Sequence, residues 1–128
     1  MGKLIYEEET YKIIGACMTV HKILGAGFLE SVYEEALEKE LIKAGVKFER
    51  QKKLHVYYDG DELKKYFIAD FVCYDKIILE IKSVSFLAQN FKQQVINYLK
   101  STNLELGLLV NFGEKSHTWK RFINTPSA

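Results

Sequence analysis

The spacing of apolar residues along the chain begins with a helical period. Apolar and aromatic side chains recur every three or four positions near the N-terminus: Tyr11, Ile14, Cys17, Met18 and His21. This period predicts a first helix over residues 7–24, which the glycines of LGAG end. A second helix is predicted over residues 29–44, because Gly45 follows it directly.

The middle of the chain changes to a strand period. The sequence VKFERQKKLHVYY, residues 46–58, predicts a long strand that turns at residues 59–62, and IADFVCYDKIILEIKSV, residues 68–84, predicts a hairpin. Three further elements are predicted: a helix over residues 86–101 and strands over residues 104–112 and 118–123. The order α-α-β-β-β-α-β-β predicts an α/β fold, with a mixed central β-sheet flanked by helices.

Composition narrows the class of protein. A chain of 128 residues that is 48% apolar is long enough for one domain, so we expect a single domain over residues 1–128. The net charge of +1 provides no global attraction to polyanions. Cys17 and Cys73 lie alone in apolar segments, which is typical of reduced core cysteines, and no window approaches the roughly 18 apolar residues of a membrane span. These features predict a cytoplasmic protein without a membrane partner.

The hairpin places charged residues within an apolar sequence. If its loop is Tyr74 to Lys76, Cys73 pairs with Ile77 and Asp70 lies opposite Glu80, with Cβ atoms roughly 5 Å apart. A period of two then predicts one face made of Ile68, Asp70, Val72, Ile78, Glu80 and Lys82. The opposite face is predicted to be core and contains Phe67, Ala69, Phe71, Leu79 and Ile81.

Two carboxylates this close repel each other, so one pKa should rise unless a cation neutralises them. Lys82 supplies one positive charge, and a divalent metal would supply more. A plain salt bridge, buried or at the rim of the sheet, is the structural alternative.

Two helices contribute further polar residues to the same argument. On a helical wheel Glu30 lies in line with Leu37 and Leu41, and Gln94 lies on a stripe of apolar and aromatic residues: Leu87, Phe91, Val95 and Tyr98. Both side chains are therefore predicted to face inward. Each alone could be an ordinary polar residue near a helix end, but together with the hairpin they indicate a polar site.

The sequence resembles that of a known family of proteins. Gly27, Glu30 and Tyr33 in GFLESVY fit the signature of the GxxExxY family, and the similarity extends over residues 18–123. That family resembles a minimal branch of the PD-(D/E)XK nuclease superfamily, whose fold is like that of restriction endonucleases. The resemblance implies an active site made of Asp70 and the E-x-K sequence Glu80, Ile81 and Lys82.

The same resemblance implies roles for these residues. Gln94 and Tyr98 match the Q-x-x-x-Y of RecB-like nucleases, and Glu30 matches their helical acid. Asp70, Glu80, the carbonyl of Ile81 and Glu30 would hold Mg²⁺ or Mn²⁺. Lys82 would orient a water molecule or stabilise the transition state, and Gln94 would position Lys82, water or phosphate. The implied activity is metal-dependent hydrolysis of phosphodiester bonds in nucleic acid, with DNA favoured.

Other interpretations stay open at this point. The chain could be a catalytically silent module that keeps the nuclease fold and binds nucleic acid or protein. The basic residues Arg50, Lys52, Lys53, Lys64 and Lys65 could form a basic edge for nucleic acid or a solvated strand face. His21 could be an extra metal ligand, although a satisfied helix histidine is the better interpretation. The oligomeric state is open, with a homodimer as one alternative.

Overall fold

A computed structural model describes residues 5–124 of the chain. It contains three helices, α1 (Glu7–Leu24), α2 (Glu30–Lys43) and α3 (Gln89–Thr102). Its strands are β1 (Phe48–Tyr58), β2 (Asp61–Cys73), β3 (Ile77–Lys82), β4 (Leu106–Asn111) and β5 (Thr118–Ile123). The predicted order of elements is therefore confirmed. None of the helices in the described residues is long and apolar enough to cross a membrane.

The five strands form one mixed sheet in the order β1-β2-β3-β4-β5. Neighbours are antiparallel except β3 and β4, which run parallel because α3 crosses over between them. The short strands β3 and β4 are buried along nearly their whole length, as expected of strands covered on both faces. The sheet is thus a central layer with helices on each side.

Each face of the sheet has its own apolar cluster. On one face α1 and α2 pack on the sheet through residues that include Ile13, Cys17, Leu37, Phe71, Leu79 and Phe112. On the other face α3 packs on residues that include Leu54, Ala69, Val72, Ile78 and Leu109. Gly107 lets α3 approach closely, because a Cβ there would lie 2.6 Å from Val95 Cγ1. Cys17 and Cys73 are buried free cysteines, as predicted.

The structure corrects the predicted face of α1 and the start of α3. Tyr11 is 81% exposed and Met18 is 55% exposed, whereas Ile13 and Val20 are buried. Ile14 and Cys17 of the predicted stripe are buried as expected, so the buried face is shifted away from Tyr11 and Met18 only. Helix α3 begins at Gln89 and not at residue 86, so Phe86 lies in the preceding loop.

The register of the hairpin is confirmed, because Cys73 pairs with Ile77, Val72 with Ile78 and Phe71 with Leu79. The predicted single core face is wrong. Phe71 packs with the α1 and α2 cluster, but Phe67 and Ala69 pack with the α3 cluster. The exchange of faces occurs opposite Gln51, a β1 residue whose φ of 54° departs from strand geometry.

Candidate functional site

The strands β2 and β3 are joined by two side chains where their backbone pairing ends. Beyond the Phe71 and Leu79 pair, the Asp70 N–H donates a hydrogen bond to Glu80 Oε2 at 2.6 Å. In return, the Ile81 N–H donates to Asp70 Oδ2 at 2.8 Å. Each carboxyl therefore binds the backbone of the opposite strand, and the two acids lie side by side as the hairpin register predicted.

The two carboxyls share an unfavourable environment for negative charge. Glu80 is only 4% exposed, and burial, followed by the charge of Asp70, raises its pKa to about 8. Burial also raises the pKa of Asp70, and the nearby charges of Glu34 and Glu30 act in the same direction. A positive charge close to the pair would therefore favour the ionised form of both carboxyls.

Lys82 provides part of that charge without forming an ion pair. It lies near enough to oppose the pKa rise of both Asp70 and Glu80. Its ammonium sits over the ring of Phe91, 4.8 Å from the centroid, and none of the salt bridges within residues 5–124 includes it. The simple salt bridge considered from the sequence is therefore not formed, and the ammonium keeps its capacity to bind another anion.

The G-x-x-E-x-x-Y residues build the entry to α2. Tyr33 is fully buried and its ring stacks on Phe112, with centroids 4.7 Å apart. Its hydroxyl donates to the Gly25 carbonyl and accepts from the Phe28 N–H at 3.2 Å. Gly27 has a φ of 110°, which favours glycine. The motif thus fixes the loop that places Glu30 as the first residue of α2.

Glu30 is exposed, so its predicted burial is wrong. Its charge nevertheless reaches Asp70, since it helps to raise the pKa of that carboxyl. Its position at the N-terminal end of α2 explains both facts, because the site opens to solvent there. Glu30 lies at the rim of the site and not on its floor.

Glu34 is a second helical acid that the sequence reasoning missed. It raises the pKa of Asp70 and accepts hydrogen bonds from Arg50 Nε at 2.9 Å and Gln51 Nε2 at 2.6 Å. The signal was available for Glu34, because it lies four residues after Glu30 on the same helical stripe. No periodic signal marked Gln51.

The α3 side of the site contains Gln94 and Tyr98. Gln94 is exposed, so its predicted inward position is also wrong, and it lines a shallow cavity with neighbours that include Phe67, Asn97 and Tyr98. Tyr98 is buried against Phe67, and burial, then the charges of Glu80 and Asp70, raise its pKa to about 12. Of the two Q-x-x-x-Y residues, Tyr98 is thus the one whose pKa is affected by the charges of the carboxyl pair.

Two other predicted contributors have different partners. His21 Nε2 lies 2.9 Å from the Glu114 carbonyl, which confirms the interpretation of a satisfied helix histidine. Arg50 is held by Glu34 and Glu38, and Lys52 lies 2.9 Å from Glu49. These pairs remove Arg50 from the predicted basic edge and neutralise Lys52.

The donor set suits a hard divalent cation. Among residues 5–124 no three His, Cys, Asp or Glu side chains gather closely enough to hold a metal ion by themselves. Mg²⁺, however, is typically bound through one or two carboxylates while it keeps several waters. Asp70 and Glu80 supply two carboxyls whose pKa values are raised first by burial and then by neighbouring negative charge, so these residues fit such an ion.

Comparison with known proteins gives a consistent result. The sequence model of the PD-(D/E)XK nuclease superfamily matches residues 7–122. The crystal structure of SSO0001 is similar to this chain with a TM-score of 0.57 and 23% sequence identity. The similarity covers 96% of this chain but 62% of that one, so it supports the fold. No curated protein sequence matches the chain significantly.

Proposed function

Because the chain belongs to the PD-(D/E)XK nuclease superfamily, we propose that it hydrolyses phosphodiester bonds in nucleic acid with the help of a divalent metal. The observation that carries the proposal is the pair of the partly buried Asp70 and the buried Glu80, which lies beside a lysine that has no anionic partner among the described residues. A module without chemistry has no physical reason to keep two carboxyls with raised pKa values side by side, one of them buried.

The residues have distinct roles in this proposal. Asp70, Glu80 and the carbonyl of Ile81 would hold the cation, and Glu30 would reach it directly or through water. A bound Mg²⁺ or Mn²⁺ would stabilise negative charge on the phosphate and lower the pKa of water. Lys82 would orient that water or donate hydrogen bonds to the developing charge. Gln94, exposed on α3, would position the phosphate or water.

Several finer statements belong to the same proposal. We assign the chain to the GxxExxY branch because Gly27 and Tyr33 have the structural roles described above. DNA is favoured as the substrate. A single domain over residues 1–128, a cytoplasmic location and a homodimer stay predictions.

The test follows cleavage of labelled single-stranded and double-stranded DNA and RNA in Mn²⁺. We expect the natural protein to cleave at least one substrate. Lys82→Met should lower the rate on the order of 10²-fold or more, as for the loss of one electrostatic stabiliser, while the fold is preserved. Glu80→Gln should abolish cleavage. Lys100→Met, an exposed change at the end of α3, is the matched control and should retain the natural rate.

Two results would contradict the proposal. Equal residual cleavage by the natural protein, Lys82→Met and Glu80→Gln would identify a contaminating nuclease. No cleavage of any substrate by the natural protein would favour the silent binding module instead.

A further inference from the structure

The β1 and β2 hairpin extends beyond the rest of the sheet. These strands have 11 and 13 residues, whereas β3, β4 and β5 have six each. Every residue from 57 to 66 is exposed, so this part of the hairpin has solvent on both faces. Packing within the described part of the chain therefore does not account for the choice of side chains in this segment.

One face of the hairpin leads along the strand to the carboxyl pair. Tyr66 and Ile68 alternate with Phe67 and Ala69, which pack towards α3, so the first two share the opposite face, and Asp70 follows at the point where the faces exchange. Tyr66 is 45% exposed and Ile68 is 47% exposed. Four residues of strand place Tyr66 about 13 Å from Asp70 along the chain.

The neighbouring strand adds a positive charge to this face. Lys53 pairs with Ile68 in the β-sheet register, and its ammonium lies 4.0 Å from the centroid of the Tyr66 ring. This cation–π contact holds the lysine beside the ring. We call Lys53, Tyr66 and Ile68 the hairpin face.

The distribution of charge limits where a polyanion can lie. The acids Asp59, Asp61 and Glu62 occupy the hairpin tip, whereas Lys64 and Lys65 lie between that tip and Tyr66. None of the salt bridges within residues 5–124 includes Lys53, Lys64 or Lys65. The favourable region for a polyanion thus runs along the strands from Lys64 to Lys53, away from the tip.

We propose that the hairpin face binds a single-stranded segment of nucleic acid and directs it to Asp70 and Glu80, an inference that rests on the proposed function. Lys53 and Lys64 on this face, with Lys65 beside them on the other face of the strand, attract the sugar–phosphate backbone, while the exposed Tyr66 ring and Ile68 contact bases. Bases inside a duplex stack on one another, whereas those of a single strand are available to a side chain. The distance of about 13 Å corresponds to about four stacked nucleotides, or fewer if the strand is extended.

The test measures binding separately from cleavage. Fluorescence anisotropy of short labelled oligonucleotides in EDTA reports affinity without turnover, for single-stranded DNA, single-stranded RNA and duplex DNA. We expect the single strands to bind more tightly than the duplex. The triple variant Lys53→Gln, Lys64→Gln, Lys65→Gln should bind at least about tenfold more weakly, and its slope of log affinity against log salt should be smaller by about 2.

The matched control is a second triple variant, Lys12→Gln, Lys39→Gln, Lys100→Gln, which removes the same charge from exposed positions on the three helices. It should bind as the natural protein does. Tyr66→Ala should weaken binding by about tenfold, whereas Tyr66→Phe, which keeps the ring, should bind as the natural protein does. An abasic oligonucleotide has no bases to stack, so it should bind Tyr66→Ala and Tyr66→Phe with equal affinity. Thermal unfolding checks that each variant folds.

The outcomes separate this inference from the proposed function. Equal affinities of the two triple variants, a preference for duplex, or no binding of any nucleic acid would overturn the role of the hairpin face. If the natural protein cleaves nucleic acid in Mn²⁺ in those cases, the proposed function still stands. Binding through the hairpin face without cleavage would support the inference while contradicting the nuclease proposal.

Discussion

Two polar clusters lie at the ends of adjacent strands, and they differ in how their charges are matched. The carboxyl pair joins Asp70 of β2 to Glu80 of β3, and the second cluster is formed by Asn111, Glu114 and Thr118 at the end of β4. The clusters are neighbours, because Lys82 and Asn111 are partners in the parallel register.

In the Asn111 cluster the amide hydrogen bonds are complete. Asn111 Oδ1 accepts from the backbone N–H groups of Val84 and Gly113, both at 3.0 Å. Its Nδ2 donates to the Val84 carbonyl at 2.9 Å and to Glu114 Oε2 at 2.8 Å. Thr118 also donates to Glu114, and these hydrogen bonds, Thr118 first, lower the pKa of Glu114.

The carboxyl pair has the opposite balance, since its acceptors outnumber its donors and its pKa values are raised. A polar cluster with matched donors contributes to stability, whereas one with excess negative charge has capacity left for a ligand. The Asn111 cluster also holds Val84, two residues after Lys82. The comparison therefore predicts that changes in the first cluster affect ligand binding and changes in the second affect folding.

The largest expected effect is on stabilisation by metal. At a free concentration of Mg²⁺ or Mn²⁺ about 1,000 times the dissociation constant, the natural protein should gain about 4 kcal/mol of unfolding free energy. Asp70→Asn should remove most of this gain, measured as the shift in Tm, and should stabilise the metal-free protein by relieving repulsion. Asp75→Asn changes an exposed acid paired with Lys47 and serves as the control. An unchanged metal response of Asp70→Asn would contradict the proposed site.

Loss of the Asn111 side chain should give the next largest effect. Asn111→Ala leaves the Val84 and Gly113 backbone groups without their partner, so the unfolding free energy should fall by about 2–3 kcal/mol in denaturant titration. Asn97→Ala, in which an exposed side chain bonded to Gln93 is lost, should cost well under about 1 kcal/mol. Similar losses in both variants would mean that the Asn111 cluster has no special role in stability.

The pH dependence of the metal-free protein provides a third test. Because the folded pKa of Glu80, about 8, exceeds its unfolded value, folding favours the protonated acid. Its contribution is fully present below the unfolded pKa and is lost as pH rises to about 8, by at most about 1.4 kcal/mol per pH unit. Glu80→Gln in EDTA should flatten this decline in chemical denaturation. If the unfolding free energy of both proteins declined equally with pH, the pKa of Glu80 would not be raised by folding.

The smallest effect should come from Glu114. Its lowered pKa means that its contribution is present above the unfolded pKa and is lost as pH falls through the folded value. Because the carboxyl is partly exposed, Glu114→Gln should change stability by less than about 1 kcal/mol at neutral pH and should reduce the loss in acid. A stability loss that increases above neutral pH in this variant would contradict that sign.

The sequence by itself determined those features that depend on short separations along the chain. The three-residue loop was enough to place Asp70 against Glu80, because pairing counted outward from Cys73 and Ile77 determines the register, whereas the strand period alone missed the exchange of faces. The element order followed from changes of period at the glycines and turns. The resemblance to the nuclease family, carried by the E-x-K sequence on one strand, then implied which residues are site candidates.

Only the tertiary structure decided which polar side chains are buried and which partners they have. A helical wheel gives the direction of Glu30 and Gln94 around their own axes, but the distance to the sheet depends on how α2 and α3 pack. The faces exchange opposite Gln51 of β1, and Arg50 of the same strand forms a salt bridge with Glu34 of α2. Both features depend on residues of different elements that meet only in the folded chain. Their energies come from packing between elements, and a local period has no information about such contacts.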